Sequence, residues 1–317
     1  MSFLSSPHFH DEEAAYAFVE ARVWANGRSC PHCGTVDRSG KLKGKSTRIG
    51  VYKCYECRKP FTVKVGTIFE ASKVKMHIWL QAIHLLVSSK KGISSNQLHR
   101  TLGVTLKTAW FMSHRIREAM RAGAFGPMGG GGKVVEADET YFGKVETPST
   151  VRSDGKPYAR GKKQRGPANK RAIVSLVERG GKARSFHVPH ADKVTVTKIV
   201  RENIDKESRL HTDGSRLYTG SQEHFATHET VDHAAGEYVR GDVHNNSAEG
   251  YFSVFKRGMR GTYQHCAEKH LHRYLAEFDF RFNNRIKLGV DDKARADALI
   301  CGIVGKRLTY QTANSRA

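Results

Sequence analysis

Long apolar runs are missing from this 317-residue chain. No stretch approaches the roughly 20 apolar residues of a membrane-spanning helix, which argues against a membrane protein. The opening residues, MSFLSSPHFHDEEAAY, have neither a basic start nor an apolar run, so no secretory signal is expected and the chain should stay in a reducing cytoplasm. Cysteine is scarce as well. There are six, four of them in two CxxC pairs, with Cys266 and Cys301 far apart and alone. That pattern reads as metal binding rather than a disulfide framework. Acidic residues are outnumbered: 31 Asp and Glu face 53 Lys and Arg, a formal net charge of +22. So large an excess points to a polyanionic partner, nucleic acid before a membrane surface. With 38% hydrophobic and 26% charged residues, the chain can bury a core, and its length suits two or three domains.

Residues 1–27 contain one amphipathic helix, DEEAAYAFVEARVWA at 11–25, with its acids in the first turn where the helix dipole favours them. It stops at Asn26-Gly27. Residues 28–70 carry Cys30, Cys33, Cys54 and Cys57. Two CxxC knuckles separated by short strands suit a zinc ribbon, in which four soft thiolates close a structural Zn²⁺ site and leave no open position for catalysis. A thioredoxin-like redox pair would need a βαβ setting that neither CxxC has. Arg38, Lys41, Lys43, Lys45 and Arg48 line the gap between the pairs, so this module is also a candidate for DNA contact.

Residues 71–122 turn helical. Met76 to Val87 is apolar enough for a core helix, and Ser94 caps a short helix that ends at Gly103. A second helix then runs LKTAWFMSHRIREAMR. Two helices joined by a glycine turn match a helix-turn-helix. In that arrangement Lys107, Thr108, His114 and Arg115 would face DNA. The plainer alternative is a helical hairpin that only packs a core. Residues 123–133, with four consecutive glycines, read as a flexible linker.

Residues 134–290 form the next domain, and 291–317 a C-terminal tail. Val134 to Gly143, VVEADETYFG, is a strand that alternates Val134, Glu136, Asp138 and Thr140 with Val135, Ala137, Glu139 and Tyr141. Lys144 to Arg171 reads as a long basic loop, able to track a phosphate backbone. Ala172–Val177 and Ala183–Val188 complete an antiparallel meander, Asp192–Ile204 is a helix, and Arg209–Asp213 and Ala226–Val231 are short strands. Helices start at Asn246 and Glu268. Strand, strand, strand, helix, strand, helix, strand, helix is the order of a ribonuclease H-like α/β fold.

A carboxylate inside a core strand is costly unless it is paired or binds a cation. Asp138 lies within the first strand, Asp213 ends the fourth, and Glu249 sits on a helix able to pack beside both. Three carboxylates converging on one point would make an oxygen-rich site for Mg²⁺ or Mn²⁺. Glu136 shares Asp138's face as a supporting group, and Glu139 should face away. His211 and His244 lie near enough in sequence to position water or phosphate. Cys266 and Cys301 read as inert buried thiols.

These blocks resemble the DDE transposases of bacterial insertion sequences that join an N-terminal zinc ribbon to a ribonuclease H-like domain, the ISXO-like group. The matching text is CPHCG…YKCYECRKPFTVKVGTIFE, ADETYFGKV, HTDGSRLY and HNNSAEGYFSVFKRGMRGTYQHCAEKHLHRYLAEFDFRFNNR, which together cover most of residues 28 to 286. The resemblance implies that Asp138, Asp213 and Glu249 are the metal ligands, with the spacing of 36 residues between the last two as in such enzymes. Because some members use asparagine at the third position, Asn246 is the alternative third ligand. The resemblance also singles out Lys256, seven residues and two helical turns after Glu249, as a phosphate holder, with Arg257 beside it as a further DNA contact.

The expectation is therefore a multidomain DNA transposase: zinc ribbon, helix-turn-helix, then ribonuclease H-like catalytic domain. It would bind the terminal inverted repeats of its element and act on double-stranded DNA at element ends and target. Catalysis would be Mg²⁺-dependent strand cleavage and strand transfer, in a homo-oligomer associated with the nucleoid. Two rivals are a domesticated zinc-ribbon DNA-binding regulator and a nuclease without strand transfer. Intact acids and Lys256 argue against the first, and a sequence-reading helix pair argues against the second.

Overall fold

A computed structural model describes residues 3–121, 123, 126–146 and 169–309. The chain divides into two compact units, Met1–Arg121 together with Gly289–Ala317, and Ala122–Leu288.

In the first unit, Asp11 accepts the Ala14 N–H at 2.8 Å and so caps helix α1 (Glu12–Val23). The ribbon is a three-stranded antiparallel sheet of β1 (Ser39–Lys41), β2 (Tyr52–Cys54) and β3 (Pro60–Phe61). Its small core of Cys30, Tyr52, Cys54 and Phe61 is too thin to hold a fold unaided, and Trp24 from the end of α1 packs onto it. Tyr52 also donates its hydroxyl to Glu20 at 2.7 Å, so α1 and the ribbon are one packing unit.

Helix α2 (Met76–Ser88) buries Met76, Trp79, Leu80, Ile83, Leu86 and Val87, a run at spacings of three and four that reads as a core face. Helix α3 (Ser95–Leu102) is capped by Ser94 and stops at Gly103, whose φ of +65° is the left-handed conformation that an L side chain rarely adopts. Thr105 then caps α4 (Leu106–Met120), which packs against α3.

The expected exposure of α4 holds for Lys107, which is exposed, and in part for Thr108, which is half-buried. It fails for His114 and Arg115, both buried. The Arg115 guanidinium donates to the carbonyls of Ile68 (2.8 Å), Glu70 (2.8 Å) and Leu308 (3.0 Å). Nine residues after the helix start, the turn has rotated Arg115 onto the core side, where it supplies donors to these backbone carbonyls.

Residues 291–317, read above as a tail, contain a helix, α8 (Asp292–Cys301), which packs on α1 and α2. Arg22 pairs with Asp297 at 2.6 Å, and Arg295 donates to the Val87 carbonyl. An arginine stands among the buried positions of α8, which is why its apolar stripe is faint in the sequence.

The second unit is built on a five-stranded mixed sheet in the order β6-β5-β4-β7-β8. The central strand β4 (Val134–Lys144) pairs antiparallel with β5 (Lys170–Glu178), and β5 with β6 (Ala183–Val188). On its other side β4 pairs parallel with β7 (Arg209–Asp213), and β7 with β8 (Thr227–Val231). One face packs on α5 (Lys193–Asn203) through Val135, Ala137, Val174, Leu176, Val196 and Val200. The other packs on α6 (Asn246–Gly258) and α7 (Leu271–Asn283) through Ile173, Val177, Phe252, Phe255, Leu275 and Phe278. Each of these side chains larger than alanine contributes about 1.5–3 kcal/mol of burial, and the alternation along β4 and β5 assigns the faces.

Two expectations change here. No α-helix joins β7 to β8; two 3-10 turns, Arg216–Tyr218 and Ser221–Glu223, do so. The glycine run is not a free linker in its last part. Met128 is buried, donates to Asn203 O and accepts from Asp205 N–H, while Gly129 and Gly130 donate to Glu178 and Ser208. A Cβ on Gly129 would stand 2.1 Å from Ser208 Oγ, so glycine is needed for contact as well as for its φ of +84°. The basic loop expected at 144–171 lies for the most part, at residues 147–168, outside the described residues.

Candidate active site

The four ribbon cysteines bring their sulfurs within 4.8 Å of one another. The Cys30–Cys57 and Cys33–Cys54 Sγ pairs are each 3.7 Å apart. Thiolates about 2.3 Å from a tetrahedral zinc stand about 3.8 Å from each other, so the cluster has the dimensions of a structural Zn²⁺ site.

The sheet carries the second constellation. Asp138 is six positions before the end of β4, and its carboxylate accepts the Glu139 N–H at 2.7 Å. Its pKa is pushed up to about 8, first by burial and then by the charges of Asp213, Glu139 and Glu249. β7 pairs parallel with β4, Ala137 beside Thr212, and this register sets Asp213 at the neighbouring strand end. Ser215 N–H turns back onto Asp213 Oδ1 at 3.1 Å. Glu249 is in the first turns of α6, exposed, with His233 Nδ1 3.9 Å from its Oε1. Lys256, on the same helix, is half-buried. Burial lowers its pKa and the charge of Asp138 raises it. The three acids are thus one electrostatic neighbourhood of hard oxygen donors, the type a magnesium-like dication takes. Among the described residues only the cysteines draw three or more ligand atoms within 4.8 Å of one another, so the three acids do not all lie within that distance of each other.

Glu136, expected as a supporting group, has a definite task. It is fully buried and accepts from Ser247 N–H (2.7 Å), Ala248 N–H (3.0 Å) and Ser247 Oγ (3.0 Å). These are orphan donors of the first turn of α6, whose own N-cap residue, Asn245, makes no side-chain cap. β4 therefore caps α6 from outside, and so ties the helix that carries Glu249 and Lys256 to the strand that carries Asp138. Arg179, following β5, neutralises Glu136 through Nε (3.1 Å) and Nη2 (3.0 Å).

His211 and His244 belong to this supporting layer. Both Nδ1 atoms lie near Arg179 Nη2, at 3.3 and 3.2 Å, and His211 is fully buried, which removes it from any phosphate. Burial, then Arg179, lowers the His211 pKa.

Two residues were not legible as contributors. Asn245, not its neighbour, is the buried asparagine: with its amide oriented to satisfy both neighbours, its side-chain oxygen accepts Asp213 N–H at 2.9 Å and its nitrogen donates to His211 O at 3.2 Å, which fixes the end of β7. Asn246 is exposed. Glu139 does occupy the opposite face, held by Tyr218 OH (2.9 Å) and Ser215 Oγ (3.3 Å), yet its charge reaches Asp138, and burial followed by Asp213 raises its own pKa. Alternation assigned its face; only the close approach of the 3-10 turn after β7 makes it part of the field. Among the DNA-contact candidates of this unit, Arg257 is exposed, its Nε turned to Ser253 O at 3.1 Å.

Among the described residues no helix is long and apolar enough to cross a membrane. Comparison with known families matches residues 10–60 to the transposase zinc-ribbon domain and residues 129–283 to the ISXO2-like transposase domain. The first match begins ahead of the cysteines and so takes in α1. The chain is also 30% identical over 285 residues to a protein of Halobacterium salinarum described as an uncharacterized protein in transposable element ISH50, covering 86% of this chain and 90% of that one. A four-cysteine ribbon, a mixed sheet with clustered acids and matches over both units lead to one conclusion: the chain belongs to the insertion-sequence transposases that join a zinc ribbon to an ISXO2-like DDE domain.

Proposed function

We propose that the protein is the DNA transposase of its element, binding the terminal inverted repeats and carrying out strand cleavage and strand transfer in a ribonuclease H-like domain. The observation that carries this reading is the gathering of acids around the strand end: Asp138 lies in β4 beside the parallel strand that ends in Asp213, and burial first, then the charges of Asp213, Glu139 and Glu249, raise its pKa. Such mutual repulsion among acids is offset when a cation binds between them. Asp138, Asp213 and Glu249 would hold Mg²⁺ or Mn²⁺. When bound, the metal activates a water or a 3′-hydroxyl and stabilises the leaving oxygen of an in-line displacement. Glu249 is favoured over Asn246 as the third ligand, since its charge reaches Asp138 and a hard dication prefers a charged oxygen. Lys256, whose ammonium feels Asp138, is suited to hold a non-bridging phosphate oxygen beside the scissile bond. Glu136 and Asn245 keep α6 and β7 in register while the negative substrate enters.

In this reading α3 and α4 act as a helix-turn-helix, Lys107 and Thr108 contact DNA, and the basic ribbon and Arg257 add phosphate contacts. Two ends processed together call for a homo-oligomer, and a chromosomal substrate places the work in the cytoplasm.

The test is cleavage of a labelled duplex carrying the element's terminal repeat, with Mg²⁺ or Mn²⁺. Wild type should nick at the repeat boundary, while Asp213→Ala and Glu249→Ala should bind and not cut. Cutting by Glu249→Ala together with loss in Asn246→Ala would move the third ligand to Asn246. Binding without cutting by wild type under either metal would favour a DNA-binding regulator.

A further inference from the structure

The segment between β8 and α6 holds a solvent-facing aromatic beside the acids that nothing above uses. Tyr238 is 61% exposed and Val239 51%. The Tyr238 ring packs on His233 with centroids 5.0 Å apart and planes at 33°, and His233 Nδ1 stands 3.9 Å from Glu249 Oε1. One exposed aromatic is therefore joined, through a single imidazole, to the third carboxylate.

The turn that presents it is closed on itself. Glu237 N–H donates to Asp232 O at 2.9 Å, Gly236 N–H to His233 O at 3.2 Å, and Ala235 N–H to Asp232 O at 3.1 Å. Arg240 donates to Thr230 O at 2.8 Å and stands 3.5 Å from Glu237, fastening the far side to β8. The tyrosine is held in place rather than swinging on a free loop. An exposed aromatic is ordinary on a protein surface; what sets this one apart is its ring contact with the imidazole that faces Glu249. On a chain with a net charge of +22, next to a site that works on DNA, the occupant with a flat apolar face and an anionic backbone is a nucleobase.

We propose that Tyr238, backed by His233 and flanked by Val239, is a stacking platform for one unpaired nucleobase at the DNA end, holding the strand so that its phosphate lies against the acids. The inference rests on the DNA-cleaving reading of the site. Tyr238 is a positioning residue: the ring needs a π face, not its hydroxyl.

The full-length protein, wild type, Tyr238→Ala and Tyr238→Phe, is tested on terminal-repeat duplexes with 2-aminopurine at successive positions across the repeat boundary. Each position is either paired or left opposite a gap. Fluorescence reports stacking and titration reports affinity, first with Ca²⁺ and then with Mg²⁺ for cleavage. Wild type should prefer one gapped position over its paired counterpart and quench its fluorescence. Tyr238→Ala should lose that preference and the matching cleavage by roughly 5- to 150-fold, the size of one base-aromatic stack, while Tyr238→Phe stays near wild type. Equal gapped and paired affinity in wild type, or equal loss in Tyr238→Phe and Tyr238→Ala, overturns the platform. The two readings separate cleanly. If wild type stacks the base and never cuts, the platform stands and the cleavage reading falls; if Tyr238→Ala stacks and cuts like wild type, the platform falls and the cleavage reading stands.

Discussion

Removing the Glu136 carboxylate should loosen the start of α6 without touching any group that meets DNA. Glu136 is fully buried, and its carboxylate holds the N–H groups of Ser247 and Ala248, the Ser247 hydroxyl and the Arg179 guanidinium, with His244 Nδ1 3.5 Å away. In Glu136→Ala the two amides lose a cap, a loss of about 1–2 kcal/mol. Arg179 also loses its carboxylate partner, keeping the carbonyls of Asp242 and His244. Breaking a buried pair by removing one side costs about 3–5 kcal/mol, and Arg179 retains some exposure at 26%, which lets water recover part of that. A net destabilisation of about 3 kcal/mol is expected for the second unit. Glu136→Gln keeps one acceptor oxygen and the side-chain shape, so it should lose about half as much, in proportion to the charge-assisted part of the bonds. The assay is amide hydrogen exchange on both variants. Ser247 and Ala248 should lose protection first, ahead of the β5–β6 ladder, and Mg²⁺-dependent cleavage should fall with it because Glu249 and Lys256 ride on the same helix. Unchanged protection at Ser247 and Ala248 in Glu136→Ala, with stability within about 0.5 kcal/mol of wild type, would refute the reasoning.

Other outcomes follow from the same geometry. Asp138 has a pKa raised to about 8 in the fold and an ordinary carboxylate pKa when unfolded, so from about pH 4 upward the unfolded chain sheds this proton first. In metal-free buffer the protein should therefore lose stability as pH rises from about 4 to 8, and Asp138→Asn should flatten that dependence in thermal melts; a slope equal to wild type would refute the assignment. On α4, Arg115→Ala should destabilise the first unit by about 3 kcal/mol in denaturant titration through its three carbonyl partners. Lys107→Ala should change stability by less than about 1 kcal/mol and reduce the salt slope of DNA binding by about one. The opposite pattern would restore Arg115 as a DNA contact.

Much of the architecture was legible residue by residue. Two CxxC pairs announce four thiolates for one ion because tetrahedral chemistry restricts both ligand type and spacing. Strand alternation around Asp138 and the Ser94 and Gly103 signals mark elements whose causes are local, within one turn or one pleat. The acids could be read as candidates because charge inside a core strand demands a reason.

What stayed hidden involves partners distant along the chain. Arg115 looks like a surface cation until its helix is rotated against Ile68, Glu70 and Leu308, up to 193 residues away. Glu136 reads as a supporting group with no stated task until Ser247 and Ala248, more than a hundred residues on, are found to need its oxygens. Asn245 and Asn246 are indistinguishable as text, and only the fit of one amide between β7 carbonyl and amide groups separates them. Local propensity and ligand chemistry are written in short windows of sequence. The supply of a donor or acceptor to a buried backbone group is settled by which surfaces meet when the chain packs.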